Sequence, residues 1–385
     1  MKLKSIYIFV LLLGGLLFGC NDTANKEEQE GCYPIVFEAV IDSQFTASPT
    51  RGARLLATNL SSFGVWGFFN NAVRVRNINY TKVNGVWRSS RNITWPAGGM
   101  DFYGLSPSYS VCLNATSTML QDPKYVEYES PADVDAQIDI MYASIFGLKR
   151  TDNNGKVKFA FKPAMHYVGF TGQNSIVSAT AGTVYKVFVK EIILHNIVSN
   201  GKFVYNAKTA NAGSWTITKG ADAKYINMRK VFTTPVELTS SLKQMLNNEY
   251  FILIPQSCTK WNTTAANPIP ISTADANHNY YVEIVAQIIQ DDGTNQTYLL
   301  GNPDNSDPEH LQYESVYFPA ATKTFRINAG STLPITFNGG YNKDGLPYLE
   351  NNDRGGEGVE VTVSEWMDFV ITPEDWVPVY EELEF

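Results

Sequence analysis

Short apolar runs separated by turn residues repeat along most of the chain after residue 33. Clear examples are residues 35–41 (IVFEAVI), 157–161 (VKFAF) and 280–289 (YYVEIVAQII). Apolar and polar residues alternate over parts of these runs, which is the period of a β-strand with one buried face. Asn84-Gly85 lies between two further runs, and this pair is a strong signal for a two-residue β-hairpin. The pattern therefore predicts an all-β protein.

The size of the chain indicates more than one domain. At 385 residues, with 13% aromatic and 18% charged residues, the chain is too apolar for a disordered protein and too long for a single β-sandwich. We expect residues 33–170 and 171–385 to form an N-terminal and a C-terminal β-sandwich domain. The residue pattern favours a helix at 237–247 and, more weakly, at 133–139.

The charge balance and the motif content exclude several function classes. The formal net charge is −8, and no Lys/Arg block offers the electrostatic footprint that a nucleic acid needs. The four histidines are scattered, and the four cysteines show no CxxC spacing. No nucleophile-elbow, zinc-protease, phosphate-loop or dinucleotide-binding motif is present in the sequence. These observations predict a protein without enzymatic activity and without a cofactor.

The first nineteen residues have the pattern of a secretion signal. Lys2 and Lys4 precede an apolar stretch, residues 6–18, that is too short for a comfortable transmembrane helix. Residues 17–20 (LFGC) are similar to a lipobox, in which the cysteine is lipidated and becomes the new N-terminus. We therefore expect a lipoprotein signal peptide over residues 1–19 and lipidation at Cys20. The alternative is an ordinary signal peptide with an incidental cysteine.

Residues 20–32 are polar and acidic, which favours a flexible linker between the lipid and the first domain. Three cysteines remain besides Cys20, namely Cys32, Cys112 and Cys258. At most one disulfide can form among them within one chain, and the sequence leaves its pairing open.

Two groups of polar residues have alternative interpretations. Asp133, Asp135 and Asp139 supply the hard oxygen ligands that calcium prefers, but their spacing lacks the glycine and terminal glutamate of an EF-hand loop. A solvated face is therefore the favoured interpretation. His166 lies in an apolar run and is expected to pack in or near the core rather than to bind a metal.

Several short blocks occur together in a fixed order along most of the chain. They are LFGC at 17–20, Thr-Arg at 50–51, FGVWGF at 63–68, Trp-Pro at 95–96, DFYGLSP at 101–107, DIMYA at 139–143, VKFAFKPAM at 157–165 and YFILIPQ at 250–256. As an ordered set, these blocks resemble the fimbrillin family, the lipoprotein pilins of anaerobic Gram-negative oral and gut bacteria.

The resemblance implies a fold, a location and a set of partners. The fold would be all-β, with two tandem transthyretin-like β-sandwich domains after a lipoprotein signal peptide and a flexible linker. The protein would be surface-exposed at the outer membrane through its lipid, or part of a fimbrium. It would bind other fimbrial subunits by strand exchange and a receptor on a host or bacterial surface.

The sequence contains candidate parts for strand exchange at its N-terminal side. Residues 35–41 are a candidate displaced strand, with Ile35, Phe37, Ala39 and Ile41 as the residues that fill the groove. A subunit that loses such a strand exposes an apolar groove, which favours binding of a strand from a neighbour. Arg51 and Arg54 lie in a loop-like stretch and are candidate cleavage sites. The alternative for Arg51 is an ordinary loop arginine.

A candidate donor strand lies at the other end of the sequence. Every second residue from 377 to 385 is apolar except Glu381. The apolar residues are Val377, Val379, Leu383 and Phe385. Such alternation suits a strand with one buried face. The alternative is a disordered acidic end.

A second function remains open at this point. Exposed tryptophans such as Trp95, Trp261 or Trp376 would form a flat platform for sugar rings. The protein would then be a surface glycan-binding lipoprotein of a polysaccharide uptake system.

Overall fold

The computed structural model describes residues 33–42, 60–108, 111–168, 170–172, 174, 181–241, 243–246, 250–258, 279–302, 312–318 and 325–326. In these residues the secondary structure is almost entirely β, with one four-residue α-helix and short 3-10 turns. The all-β prediction is confirmed. None of the helices in this part of the chain has the length and apolar character of a membrane-spanning helix.

The elements follow one another in this order: β1 (Val36–Ile41), β2 (Ser62–Phe69), β3 (Ala72–Val83), β4 (Val86–Ser89), β5 (Met100–Ser106), α1 (Ala115–Thr118), β6 (Tyr125–Glu129), β7 (Met141–Leu148), β8 (Lys156–Pro163), β9 (His166–Val168), β10 (Thr171–Gly172), β11 (Val184–Val198), β12 (Asn200–Tyr205), β13 (Gly213–Ile217), β14 (Tyr225–Leu238), β15 (Lys243–Gln244), β16 (Phe251–Leu253), β17 (Ser257–Cys258), β18 (Tyr281–Asp291), β19 (Gln296–Leu300), β20 (Glu314–Phe318) and β21 (Phe325–Arg326).

A seven-stranded sheet in the first half of the chain has the order β1-β8-β7-β5-β2-β3-β4. Its pairs are antiparallel except β1 with β8, which is parallel. The two outermost strands, β1 and β4, also lie close to each other, so the sheet curls around its core. That core is apolar and aromatic, with Phe63, Phe102, Phe159 and Phe161 fully buried.

A second large sheet has the order β14-β11-β18-β19, and β20 also pairs with β18. Its long strands bury one face in a separate core that includes Val187, Ile192, Leu194, Val282 and Ile284. The long runs of β-branched residues in β11 and β18 suit this position, because such side chains pack well on a half-buried pleated surface.

A third core lies where the two halves meet. Strand β6 from the first half pairs with β12 from the second in the sheet β13-β12-β6, and β9 pairs with β16. The core contains Trp66, Tyr103, Phe203, Tyr205 and Ile254. Strand pairing therefore crosses residue 170, and a division of the chain into domains 33–170 and 171–385 stays a prediction.

The predicted helix at 237–247 is wrong in the described residues of that segment. Strand β14 continues to Leu238, and Lys243–Gln244 is the strand β15, paired with β10. The local pattern did not contain these long-range partners, and tertiary pairing overrides a weak helix propensity. At 133–139 only one 3-10 turn forms, Val134–Ala136, with Asp133 as its N-cap.

Candidate functional site

The strand β1 occupies an edge of the seven-stranded sheet and is held on two sides. Along its whole length it pairs with β8, from Val36 opposite Lys156 to Ile41 opposite Phe161. At its start, the chain also pairs with the segment that follows β4. The Ile35 N–H donates to the carbonyl of Ile93 at 2.7 Å, and the Trp95 N–H donates to the carbonyl of Tyr33 at 2.9 Å.

Alternate side chains of β1 fill the first core. The exposed fractions of Ile35, Phe37, Ala39 and Ile41 are 6%, 3%, 9% and 6%, whereas Val36 and Val40 are exposed. The ring of Phe37 lies 4.8 Å from that of Tyr80, 5.5 Å from Phe102 and 6.0 Å from Phe159. These contacts make β1 an integral part of the core.

The outer side of β1 adds a polar contact to β8. Lys156 Nζ lies 2.6 Å from Glu38 Oε1, and Lys158 Nζ lies 4.0 Å from the other carboxylate oxygen. The hydrogen bond that Lys156 donates to the Glu38 carboxylate lowers the pKa of that carboxyl below its ordinary value. Because these side chains are partly exposed to water, the ion pair contributes little to the free energy of unfolding. The apolar face therefore holds β1 in place.

Removal of β1 would create the kind of groove on which strand exchange depends. The freed edge of β8 would present unpaired backbone groups beside Val157, Phe159 and Phe161, whose side chains point into the same core. An apolar groove with an open strand edge is unfavourable in water and readily binds another extended segment.

The other predicted site residues lie outside the described part of the chain. These are the lipidation site Cys20, the cleavage candidates Arg51 and Arg54, and the donor candidates Val377, Val379, Leu383 and Phe385. The chain leaves β1 at Asp42, and the next described residue is Leu60. Both arginines therefore belong to the connection between β1 and β2.

One part of the glycan-platform prediction is wrong. Trp95 has 2% of its surface exposed and donates through Nε1 to the carbonyl of Gly155 at 3.2 Å. A buried indole cannot stack on a sugar ring at the surface. Trp261 and Trp376 lie outside the described residues.

The remaining polar candidates have structural roles. Asp133 accepts from the backbone N–H of Asp135, and Asp135 pairs with Lys230. Asp139 is buried. Within the described ranges no cluster of three or more His, Cys, Asp or Glu side chains is arranged to hold a metal ion.

His166 and Cys112 both lie in the interior. His166 is buried in β9. Cys112 is a free, buried thiol, and burial raises its pKa to about 12. Such a thiol is unreactive near neutral pH.

Similarity to known proteins identifies the family. A family model described as fimbrillin-like matches residues 56–312, about two thirds of the chain. The chain belongs to the fimbrillin-like family. It is therefore a protein of the fimbrial type. No curated protein sequence matches the chain.

Solved structures of related type share low sequence identity with this fimbrillin-like protein. A fimbrial protein from Bacteroides vulgatus is 13% identical, with a TM-score of 0.48, over 78% of this chain and 93% of its own. A putative cell adhesion protein from Bacteroides uniformis is 15% identical, with a TM-score of 0.41, over 78% and 90%. A fimbrial anchor protein from Porphyromonas gingivalis is 8% identical, with a TM-score of 0.25, over 58% and 82%.

Sequence reasoning missed the residues that hold β1. The parallel pairing with β8 and the ion pair from Lys156 depend on which strand edges meet, and no local pattern contains this information. The second contact, with residues 93–95, was missed for the same reason.

Proposed function

We propose that this fimbrillin-like protein is a fimbrial subunit or surface adhesin that assembles by donor-strand exchange. In this proposal, Cys20 carries the lipid that tethers the chain to the outer membrane. Proteolysis at Arg51 or Arg54 then releases β1 together with the lipidated segment. The emptied groove accepts the segment containing Val377, Val379, Leu383 and Phe385 from another subunit.

The proposal includes a fold assignment and a set of partners. The chain would form two tandem transthyretin-like domains, and its partners would be other fimbrial subunits in a homo- or hetero-polymer. A receptor on a host or bacterial surface would be bound by the assembled fimbrium.

The position of β1 is the observation that carries this proposal. The strand is separated from the next described strand only by the connection that contains both arginines, yet its side chains fill the first core. Among the described residues, a cut in that connection removes no other strand. The donor must then supply apolar side chains at every second position, which is the spacing of Val377 and Val379 and of Leu383 and Phe385.

A disulfide that locks β1 to β8 tests the release step. Glu38 and Lys158 are directly opposite in the parallel register, and their side chains reach the surface. We would introduce Glu38→Cys and Lys158→Cys into a mature chain in which Cys32 and Cys258 are serine. After limited digestion with an Arg-specific protease, we expect the reduced protein to form high-order multimers and the oxidised protein to remain monomeric.

The matched control places the same lock where no strand is released. Lys202 and Thr216 are opposite each other in β12 and β13, and both are exposed. Lys202→Cys with Thr216→Cys should leave multimer formation unchanged under both redox conditions. Multimers in the oxidised Glu38–Lys158 lock, or their absence in every trimmed sample, would rule out assembly through release of β1.

Processing is tested on the native cell envelope. Intact mass and N-terminal sequencing should identify a chain that begins near Gly52 or Leu55 and carries no lipid. A triacylated Cys20 on every copy would contradict proteolytic release and leave a retained surface lipoprotein.

A further inference from the structure

The hairpin formed by β3 and β4 carries a concentration of positive charge in a chain that is otherwise acidic. Residues 43–100 contain seven Lys and Arg and no Asp or Glu, whereas the whole chain has a net charge of −8. Five of the cations lie in residues 72–91, which we call the basic hairpin, and all five are exposed. They are Arg74, Arg76, Lys82, Arg88 and Arg91.

The basic hairpin lies at the β4 end of the sheet order. Arg88 is opposite Thr81 in the β3–β4 register, so the two side chains share a face. The backbone after β4 is fixed by Ser89, whose hydroxyl donates to the carbonyl of Arg91 at 2.6 Å. Lys82 lies over the ring of Trp87 at 5.5 Å. Within the described residues, no carboxylate forms an ion pair with Arg76, Arg88 or Arg91.

The basic hairpin is continuous with the groove that β1 occupies. Thr94 bridges to Pro34 at the start of β1, only three residues after Arg91. β4 itself lies close to β1. Any strand that replaced β1 would therefore run past the end of the basic hairpin.

The chain contains a segment with the complementary charge. Residues 350–385 include eleven Asp and Glu and a single basic residue, Arg354. This segment also contains the candidate donor strand, and Glu382 and Glu384 lie on the parity opposite to its apolar residues. They would remain outside the groove when the apolar side chains enter it.

We propose that the basic hairpin of one copy binds the acidic segment 350–385 of a second copy and guides it to the neighbouring groove. This inference rests on the proposed function and names the electrostatic partner of the same assembly site. A single exposed ion pair adds little to equilibrium stability. The summed field of five cations against an acidic segment is larger, can raise association rates roughly tenfold or more, and is screened by salt. The hairpin therefore holds the segment in a salt-sensitive complex and speeds assembly.

A peptide experiment tests the binding without requiring assembly. A fluorescent peptide covering residues 350–385 is titrated into the full mature chain, and its anisotropy is measured. We expect binding at low salt that weakens about tenfold in Arg88→Glu/Arg91→Glu and at about 0.5 M salt. The control Lys208→Glu/Lys219→Glu makes the same charge change at two exposed lysines outside the hairpin and should bind like the wild type.

A pair of charge-reversal variants tests whether the acidic segment binds the hairpin of a second copy rather than that of its own chain. Trimmed Arg88→Glu/Arg91→Glu and trimmed Glu382→Lys/Glu384→Lys should each assemble about tenfold more slowly than the wild type, as followed by light scattering. Mixing the two variants should restore part of the rate, because the unchanged basic hairpin of one variant then meets the unchanged acidic segment of the other. A contact within one chain predicts no recovery in the mixture.

The outcomes separate this inference from the proposed function. Wild-type protein that never assembles contradicts the proposed function, and the peptide titration still decides the inference. Equal assembly rates and equal peptide binding in the wild type and the arginine variant overturn the inference alone. Binding of dextran sulfate to the hairpin without binding of the peptide also overturns it, and would instead identify a polyanion site.

Discussion

At the scale of single residues, His166 shows how burial determines the state of a titratable group. Its side chain lies in β9, which pairs with β16 between the two halves, and it is 1% exposed. Desolvation lowers the pKa of the imidazole well below its ordinary value of 6.5. The folded protein therefore holds this histidine neutral at pH values where an unfolded chain would protonate it.

This burial predicts a loss of stability on the acidic side. Below pH 6.5 the unfolded state binds a proton at His166 that the folded state does not, so unfolding becomes easier as the pH falls. We expect His166 to lower the free energy of unfolding by about 1.4 kcal/mol per pH unit until the pKa of the folded state is reached. Urea unfolding of the wild type and His166→Gln between pH 7.5 and about 5 measures it. The difference between the two proteins should change with pH below 6.5 and stay constant above it. A constant difference throughout would show that His166 does not carry this pH dependence.

At the scale of elements, the β3–β4 hairpin is the part that local sequence specifies best. Asn84 and Gly85 have φ values of 51° and 79°, as a type I′ turn between twisted strands requires. An added Cβ at Gly85 would meet nothing within 4 Å. The turn therefore needs glycine here for its positive φ, and not because a larger side chain would clash with a neighbour.

The backbone conformation at Gly85 predicts the effects of two substitutions in the turn. Gly85→Ala should lower the free energy of unfolding by about 1 kcal/mol, because an L-residue other than Asn or Asp is strained at this φ. Gly85→Asn should cost clearly less, since asparagine tolerates the left-handed region. Urea denaturation measures both. Equal costs for the two variants would show that the turn is not held in this conformation.

The neighbouring element β1 shows the limit of local prediction. Its alternation correctly indicated which side chains are buried, because a strand at a sheet edge with one core face needs this pattern. The parallel partner β8 was not predictable, since the alternation of a strand says nothing about which edge it will meet. The positive charge of the basic hairpin lies within an acid-free stretch of sequence, residues 43–100, which the charge balance of the whole chain conceals, and only the sheet order places it beside the groove.

At the scale of the whole molecule, the third core joins the two halves into one packed structure. Tyr205 in β12 donates its hydroxyl to the carbonyl of Gly104 in β5 at 3.0 Å, and both groups are buried. Asn211 adds polar contacts to the first half through Ser144 and through the carbonyl of Ala160. Because these contacts link residues 51 to 101 positions apart in sequence, neither half keeps its full core without the other.

We therefore predict that the described parts of the two halves unfold in one cooperative transition. Urea unfolding followed by tryptophan fluorescence and by far-ultraviolet circular dichroism should give coincident curves. Tyr205→Phe leaves the Gly104 carbonyl buried without this donor and should cost about 1–3 kcal/mol. In that variant both probes should shift together, whereas two separate transitions would show that the halves are independent.

The sequence by itself determined the period-two patterns, the hairpin turn, the buried parity of β1 and the ordered blocks that resemble the fimbrillin family. These features depend on neighbours a few residues apart, and local sterics and polarity are enough to specify them. The tertiary structure alone decided that β8 holds β1, that Trp95 is buried, that no helix forms in the described part of 237–247, and that β6 pairs with β12. Each of these depends on which distant surfaces bury one another, and burial is a property of the assembled cores that no local segment of the sequence contains.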